Sequence, residues 1–175
     1  MMLFLMEIWE SVRDFMNTGG DVLWLVAGAL FIMWSLMIER YWYLSAVFPK
    51  EMKRIVGDWD ARADTTSWYA HRIREAWISQ AQVKLQARMQ LIKTLVAICP
   101  LMGLLGTVTG MVAVFEVMAQ MGTGNPRLMA SGISMATIPT MSGMVAALSG
   151  VFFSSRLEAK VKVAEHRLID SMPHH

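Results

Sequence analysis

Three long stretches of this sequence contain no Asp, Glu, Lys or Arg: residues 22–38, 94–115 and 128–155, running for 17, 22 and 28 residues. A helix rises about 1.5 Å per residue, so about 20 apolar residues cross a bilayer core about 30 Å thick. The first stretch is at the short end of that range, and Asp21 and Glu39 complete it by sitting at the interfaces. Leu23, Trp24, Leu25, Leu30, Phe31, Ile32 and Trp34 make it strongly lipophilic, while Gly, Ala, Ser and Thr dilute the other two. Composition agrees: 55% of residues are apolar and 17% charged, against roughly 45–50% and about 25% in soluble domains. The chain is predicted to be an all-α membrane protein with three transmembrane helices.

Basic residues set the expected orientation, because cytoplasmic segments collect Lys and Arg. Ten lie within residues 40–93 and four (Arg156, Lys160, Lys162 and Arg167) follow the third stretch, leaving only Arg13 and Arg127 on the other side. The N-terminus is therefore expected in the periplasm and the C-terminus in the cytoplasm, with long helices extending into the cytoplasm. Tyr41, Trp42 and Tyr43 beside Arg40 form an aromatic anchor at the cytoplasmic interface. The residues ahead of the first span are net acidic, unlike the leading region of a signal peptide. A net charge of +2 gives no reason to expect a nucleic-acid partner. The single cysteine, Cys99, excludes an internal disulfide and reads as an inert small residue.

The organisation follows from these spans. Residues 1–18 read as a periplasmic amphipathic helix, with Leu5, Ile8, Trp9, Val12, Phe15 and Met16 opposite Glu7, Glu10 and Asp14. That helix is expected to lie flat on membrane lipids, and Gly19–Gly20 ends it. The spans are 21–43, 94–119 and 128–155, with a periplasmic turn over 120–127 built on Gly122, Gly124, Asn125 and Pro126. A cytoplasmic helical segment covers 44–93, where Trp59, Trp68 and Trp77 read as packing of a small bundle. No breaker interrupts 76–94, so one long helix is expected to run into the second span. A cytoplasmic helical tail covers 156–175, with Glu158 and Lys162 as an i,i+4 pair. His174 and His175 are given no meaning.

Spans two and three carry more than anchoring requires. Gly103/Thr107 and Gly106/Gly110 are small-xxx-small pairs. Gly132, Ala136, Thr140, Gly143, Ala147, Gly150 and Ser154 follow one another at steps of three and four, which keeps them on one helical face. Such faces let another backbone approach closely. Packing explains any one position; two stripes on consecutive helices predict an antiparallel hairpin meeting further helices, most simply those of other copies of the chain. Thr107, Thr109, Ser134, Thr137, Thr140 and Ser142 add hydroxyls. Each either bonds a carbonyl of its own helix or helps satisfy those freed by Pro100 and Pro139, as a wet seam would. Neither stretch holds an ionisable carboxylate, Lys, Arg or His; Glu116 follows the second, and His71, His166, His174 and His175 lie outside the spans. With no His pair for a metal, no nucleophile–base pair and no phosphate-cradling loop, no enzyme, metal or cofactor is expected.

The run Pro100-Leu-Met-Gly-Leu-Leu-Gly-Thr-Val-Thr-Gly-Met111 resembles the second-helix signature of the MotA/TolQ/ExbB proton-channel family, commonly P-L-L-G-L-L-G-T-V-x-G-[MI]. Phe115, Gly124, Asn125–Pro126 and Gly132-Ile-Ser134 follow in the family's order. Three spans and a large cytoplasmic segment fit the ExbB and TolQ branches rather than four-span MotA. The resemblance implies a homopentamer in the inner membrane of a Gram-negative bacterium, its second and third spans lining a pore. Two single-span helices of an ExbD/TolR-type partner stand in that pore, and proton flow moves them against the ring. In the favoured ExbB branch the work is TonB-dependent outer-membrane transport through a TonB-like protein; in the TolQ branch it is envelope constriction.

Carried over residue by residue, the family's pore threonines fall on Thr107 and Thr140, with Thr137 and Ser134 proposed beside them on the proton pathway. The match breaks at Met135, where members commonly carry the acidic residue of Gly-Ile-[AS]-Glu-Ala-Leu, and at Pro139, which replaces a small residue. The titrating carboxylate is therefore expected on the partner helix. Met135 also leaves open a passive membrane scaffold without proton coupling.

Overall fold

The computed structural model describes residues 2–18, 20–122 and 126–172. Gly19, Gly124, Asn125, His174 and His175 lie outside the described residues, as do the side chains of Leu5 and Ile8. Every regular element among the described residues is helical: α1 (Met2–Thr18), α2 (Gly20–Trp42), a π-helical turn (Tyr43–Val47), α3 (Phe48–Asp60), α4 (Trp68–Gln86), α5 (Met89–Met121) and α6 (Pro126–Asp170). Three helical runs, Gly20–Asp60, Trp68–Gln120 (interrupted by a turn at Ala87–Arg88) and Met129–Asp170, are long and apolar enough to cross a membrane. In hydrocarbon every backbone N–H and C=O must be paired within the protein, which helices achieve alone. That pressure keeps Pro100 and Pro139 inside α5 and α6 rather than at their ends.

The breaks in helicity have local causes. Gly122, at φ +80°, follows the end of α5, where glycine turns left-handed without a Cβ penalty. Pro126 opens α6, a position whose N–H would have no helical acceptor. The π turn precedes Pro49, which has no N–H for the Ser45 carbonyl and whose ring crowds it; one wider turn absorbs both problems without ending the helix.

The chain forms two compact units, Met1–Met33 with Thr94–Val151, and Trp34–Lys93 with Phe152–His175. In the second, Trp59 is buried and meets Trp77 edge-on at 6.3 Å. Trp68 differs from its reading as a packing residue: it is exposed, against Tyr69 and beneath the Arg72 guanidinium. Ser67 caps α4 by accepting from Ala70 N at 3.2 Å. The Glu158–Lys162 pair forms at 3.8 Å, and Glu158 also meets Lys93 at 2.9 Å.

The uninterrupted helix expected over 76–94 is not formed. α4 ends at Gln86, Ala87 turns extended with ψ 139°, and Arg88 sits at φ 63° before α5 begins. The cause lies 44 residues away. Arg40, buried at 5% exposure, donates from Nη2 to the Lys84 carbonyl and, at 2.8 Å, to the Leu85 carbonyl. Those acceptors would otherwise take the N–H groups of the next helical turn; a guanidinium satisfies them instead and favours a helix C-terminus electrostatically. Arg74 does the same for α6, donating to Met172 O at 2.6 Å and Ile169 O at 3.2 Å.

Candidate functional site: the α5–α6 hairpin

In the first unit the two small-residue stripes face each other. A Cβ built on Gly150 would lie 2.7 Å from Val96 Cγ2, and one on Gly143 would lie 2.7 Å from Cys99 O. One on Gly103 would lie 2.9 Å from Pro139 O and 3.0 Å from Thr140 Cα; one on Gly110, 2.7 Å from Ala136 Cβ; one on Gly132, 2.3 Å from Val114 Cγ2. Each step forward along α5 is a step back along α6, the register of an antiparallel hairpin. At Gly103, Gly110 and Gly143 one helix meets the backbone of the other, and at Gly132 and Gly150 a valine side chain fills the space; small residues permit both. The stripes thus close, within one chain, the antiparallel hairpin that their spacing on consecutive helices predicts.

α2 covers another side of this pair. Val22 Cγ1 lies 3.3 Å from the Cβ position of Gly106, and Met33 Sδ lies 2.8 Å from that of Gly150. Val26, Cys99, Ala146 and Ala147 form a buried cluster. Cys99, fully buried, is a packing residue.

The hydroxyls divide into two groups. Thr140 Oγ1 donates across the interface to Gly103 O at 2.9 Å. Four bond their own helices: Thr107 to Leu104 O at 2.7 Å, Thr137 to Ser134 O at 2.8 Å, Thr109 to Leu105 O and Gly106 O at 3.1 Å, and Ser142 to Ile138 O and Pro139 O. None of these reaches the Met135 carbonyl that Pro139, lacking an N–H, leaves without its helical donor. Ser134, Met135 and Thr137 lie on the exposed side of α6, while Thr107 and Thr140 are half-buried.

Met135 lines a groove of about 590 Å³ together with Thr109, Gly110, Ser131, Gly132 and Asp21. Asp21 was read from sequence only as the end of the first span; its position, one residue ahead of a charge-free stretch, was the available signal. Within 94–115 and 128–155 the hairpin carries no Asp, Glu, Lys or Arg, and no metal-binding cluster occurs among the described residues.

Fold and hairpin together define a multi-pass, all-helical membrane protein with a glycine-closed pair of apolar helices. The sequence comparisons make this specific. Residues 43–169 match the profile of the MotA/TolQ/ExbB proton channel family; the chain belongs to that family. It is 27% identical over 171 residues to an ExbB-like biopolymer transport protein of Helicobacter pylori strain J99, covering 88% of this chain and 90% of that one. A counterpart in H. pylori strain 26695 is also 27% identical, over 169 residues. The biopolymer transport protein exbB1 of Vibrio cholerae is 32% identical over 76 residues, 43% of this chain and 33% of that protein.

Proposed function

We propose that this chain is the ExbB-like wall subunit of an inner-membrane motor driven by the proton-motive force. It assembles as a homopentamer, N-terminus periplasmic and C-terminus cytoplasmic, around a single-span ExbD-like partner, and energises TonB-dependent transport across the outer membrane. The observation that carries this reading is the alignment with an ExbB-like relative along 88% of this chain and 90% of that one. The fold supports it in one respect: the small faces of α5 and α6 are spent on closing the hairpin, so the remaining faces are available for a ring and its pore. Thr107, Thr140, Thr137 and Ser134 are assigned to the pore side, Thr140 at the seam where its Oγ1 also holds Gly103 O.

Chemistry assigns the titrating group elsewhere. Coupling proton flow to motion requires a site whose charge changes inside the apolar layer, and Met135 has no proton to exchange. The carboxylate belongs to the partner helix, hydrogen-bonded through the threonines or a water chain beside them. The test is complementation of a strain lacking its own ExbB, read as iron-carrier uptake together with the partner. Restored uptake is expected, and its loss in Thr107→Val and Thr140→Val with the complex still assembled. No rescue with the partner present would favour a second reading, a scaffold without proton coupling, for which Met135 is the specific observation. Rescue of detergent resistance instead of uptake would move the chain to the TolQ branch.

A further inference from the structure

A groove of about 1030 Å³ runs between the α2–α3 run and α6 in the second unit. Its two ends differ in chemistry. Beside the charge-free stretches its walls are Trp34, Ile38, Phe152 and Phe153, with the Trp34 and Phe153 rings edge-on at 4.8 Å. Further along, α6 contributes Arg156, Lys160 and Arg167 to the lining, and α2 contributes Tyr41. Lys160 Nζ sits 3.7 Å from the Tyr41 ring centroid, and the Arg156 guanidinium lies 5.2 Å over the Phe152 ring. Both cations are thus held on the groove wall by cation–π contact.

These charges have no counter-ion there. Among the described residues no carboxylate lines the groove. The acids flanking the same ends of the apolar stretches are taken elsewhere: Glu39 pairs with Arg88, and Glu158 with Lys93. A basic pocket between helices at a membrane surface suits an anionic lipid head group. The switch from aromatic to cationic wall occurs within one helical turn of α6, as a phospholipid switches from acyl chain to phosphate.

We propose that this groove binds one anionic phospholipid, its acyl chains against Trp34, Ile38 and Phe153 and its phosphate between Arg156 and Lys160. Arg167, about 16 Å further along α6, extends the positive field toward the head group's approach. The occupant is lipid rather than a second copy of the chain, because an aromatic wall that gives way to cations with no lining carboxylate complements an acyl chain ending in a phosphate. Only membrane insertion is needed, so the inference stands whether or not the chain energises transport.

Native mass spectrometry of the full-length assembly in mild detergent tests it, with phosphatidylglycerol or phosphatidylcholine of identical acyl chains added. Preferential retention of phosphatidylglycerol is expected, falling about tenfold in the double variant Arg156→Gln/Lys160→Gln. Phosphatidylcholine retention should not change, and Lys53→Gln/Arg54→Gln, which removes the same charge outside the groove, should bind like the parent. Equal retention of both lipids by the parent, an unaffected double variant, or equal loss in the control overturns the site. A second measurement does not depend on those variants folding: Ser45→Cys, on the groove wall, is labelled with a photoreactive maleimide while Cys99 stays buried. A phosphatidylglycerol adduct supports the proposal; a chain–chain adduct in its place, or none to lipid, overturns it.

Discussion

Thr107 and Thr140, the two residues proposed as pore threonines, do different physical work. Thr140 joins α6 to α5 through Gly103 O, whereas Thr107 bonds only its own helix. Interhelical hydrogen bonds in membrane proteins contribute about 0.6 kcal/mol on average and up to about 1.7. Thr140→Val should therefore lower the thermal stability of the solubilised assembly measurably, and Thr107→Val, similar in shape and losing only a bond to its own helix, should not. If both variants lose uptake while only Thr140→Val loses stability, the Thr107 effect belongs to conduction. Asp21 supplies a sharper residue-level test, because its carboxylate lines the groove that Met135 also lines. With the titrating group on the partner, Asp21→Asn should keep uptake near the parent's rate in an iron-limited growth assay. Loss of uptake with intact assembly would transfer the proton site to this chain.

At the scale of helices, the hairpin depends on surfaces without side chains. A methyl on Gly110 would meet Ala136 Cβ at 2.7 Å and its Cα at 2.8 Å, and backbone cannot rotate away. Overpacking of this kind costs about 1–3 kcal/mol. Gly103→Ala and Gly110→Ala should each lower the unfolding temperature and the yield of assembled complex, while Gly28→Ala, with nothing within 4 Å, should be neutral. These faces were legible in the sequence because period and residue size together specify them, and the three spans were legible because charge is absent from them. The pairing of those faces as a hairpin was legible too, from two stripes on consecutive helices, but the contacts of α2 with Gly106 and Gly150 were not, since a small face states that a neighbour is near but not which. The break at Ala87–Arg88 was hidden for a different reason: no Gly or Pro marks it, and its cause, Arg40, acts from 44 residues away in sequence. Arg40→Gln, leaving α4's last carbonyls short of donors, should cost about 1–3 kcal/mol and raise hydrogen exchange over residues 84–89 before elsewhere. The π turn was equally silent, since Pro49 alone announces a disturbance and not how the helix absorbs it.

For the whole molecule the governing fact is a pair of apolar helices whose charge-free stretches contain no carboxylate, ammonium, guanidinium or imidazole. A proton crossing about 100 mV releases about 2.3 kcal/mol, and a protein converts that to motion only where a charge can appear and vanish in the low-dielectric layer. Residues 94–115 and 128–155 hold no Asp, Glu, Lys or Arg, and the hydroxyls there are largely engaged with their own helices. A ring built from this chain should thus be a closed wall to protons. Liposomes reconstituted with the chain alone should hold an imposed pH gradient as long as protein-free liposomes do. Co-reconstitution with a single-span partner carrying one intramembrane Asp should dissipate it, and Asp→Asn in that partner should restore the seal. Native mass spectrometry of the same preparation should find more copies of this chain than of the partner, because one pore needs a wall on every side but a titrating helix only at its centre. Rapid proton flux through the chain alone would contradict the division of labour between wall and partner, and would direct attention to Asp21 as the group that changes charge.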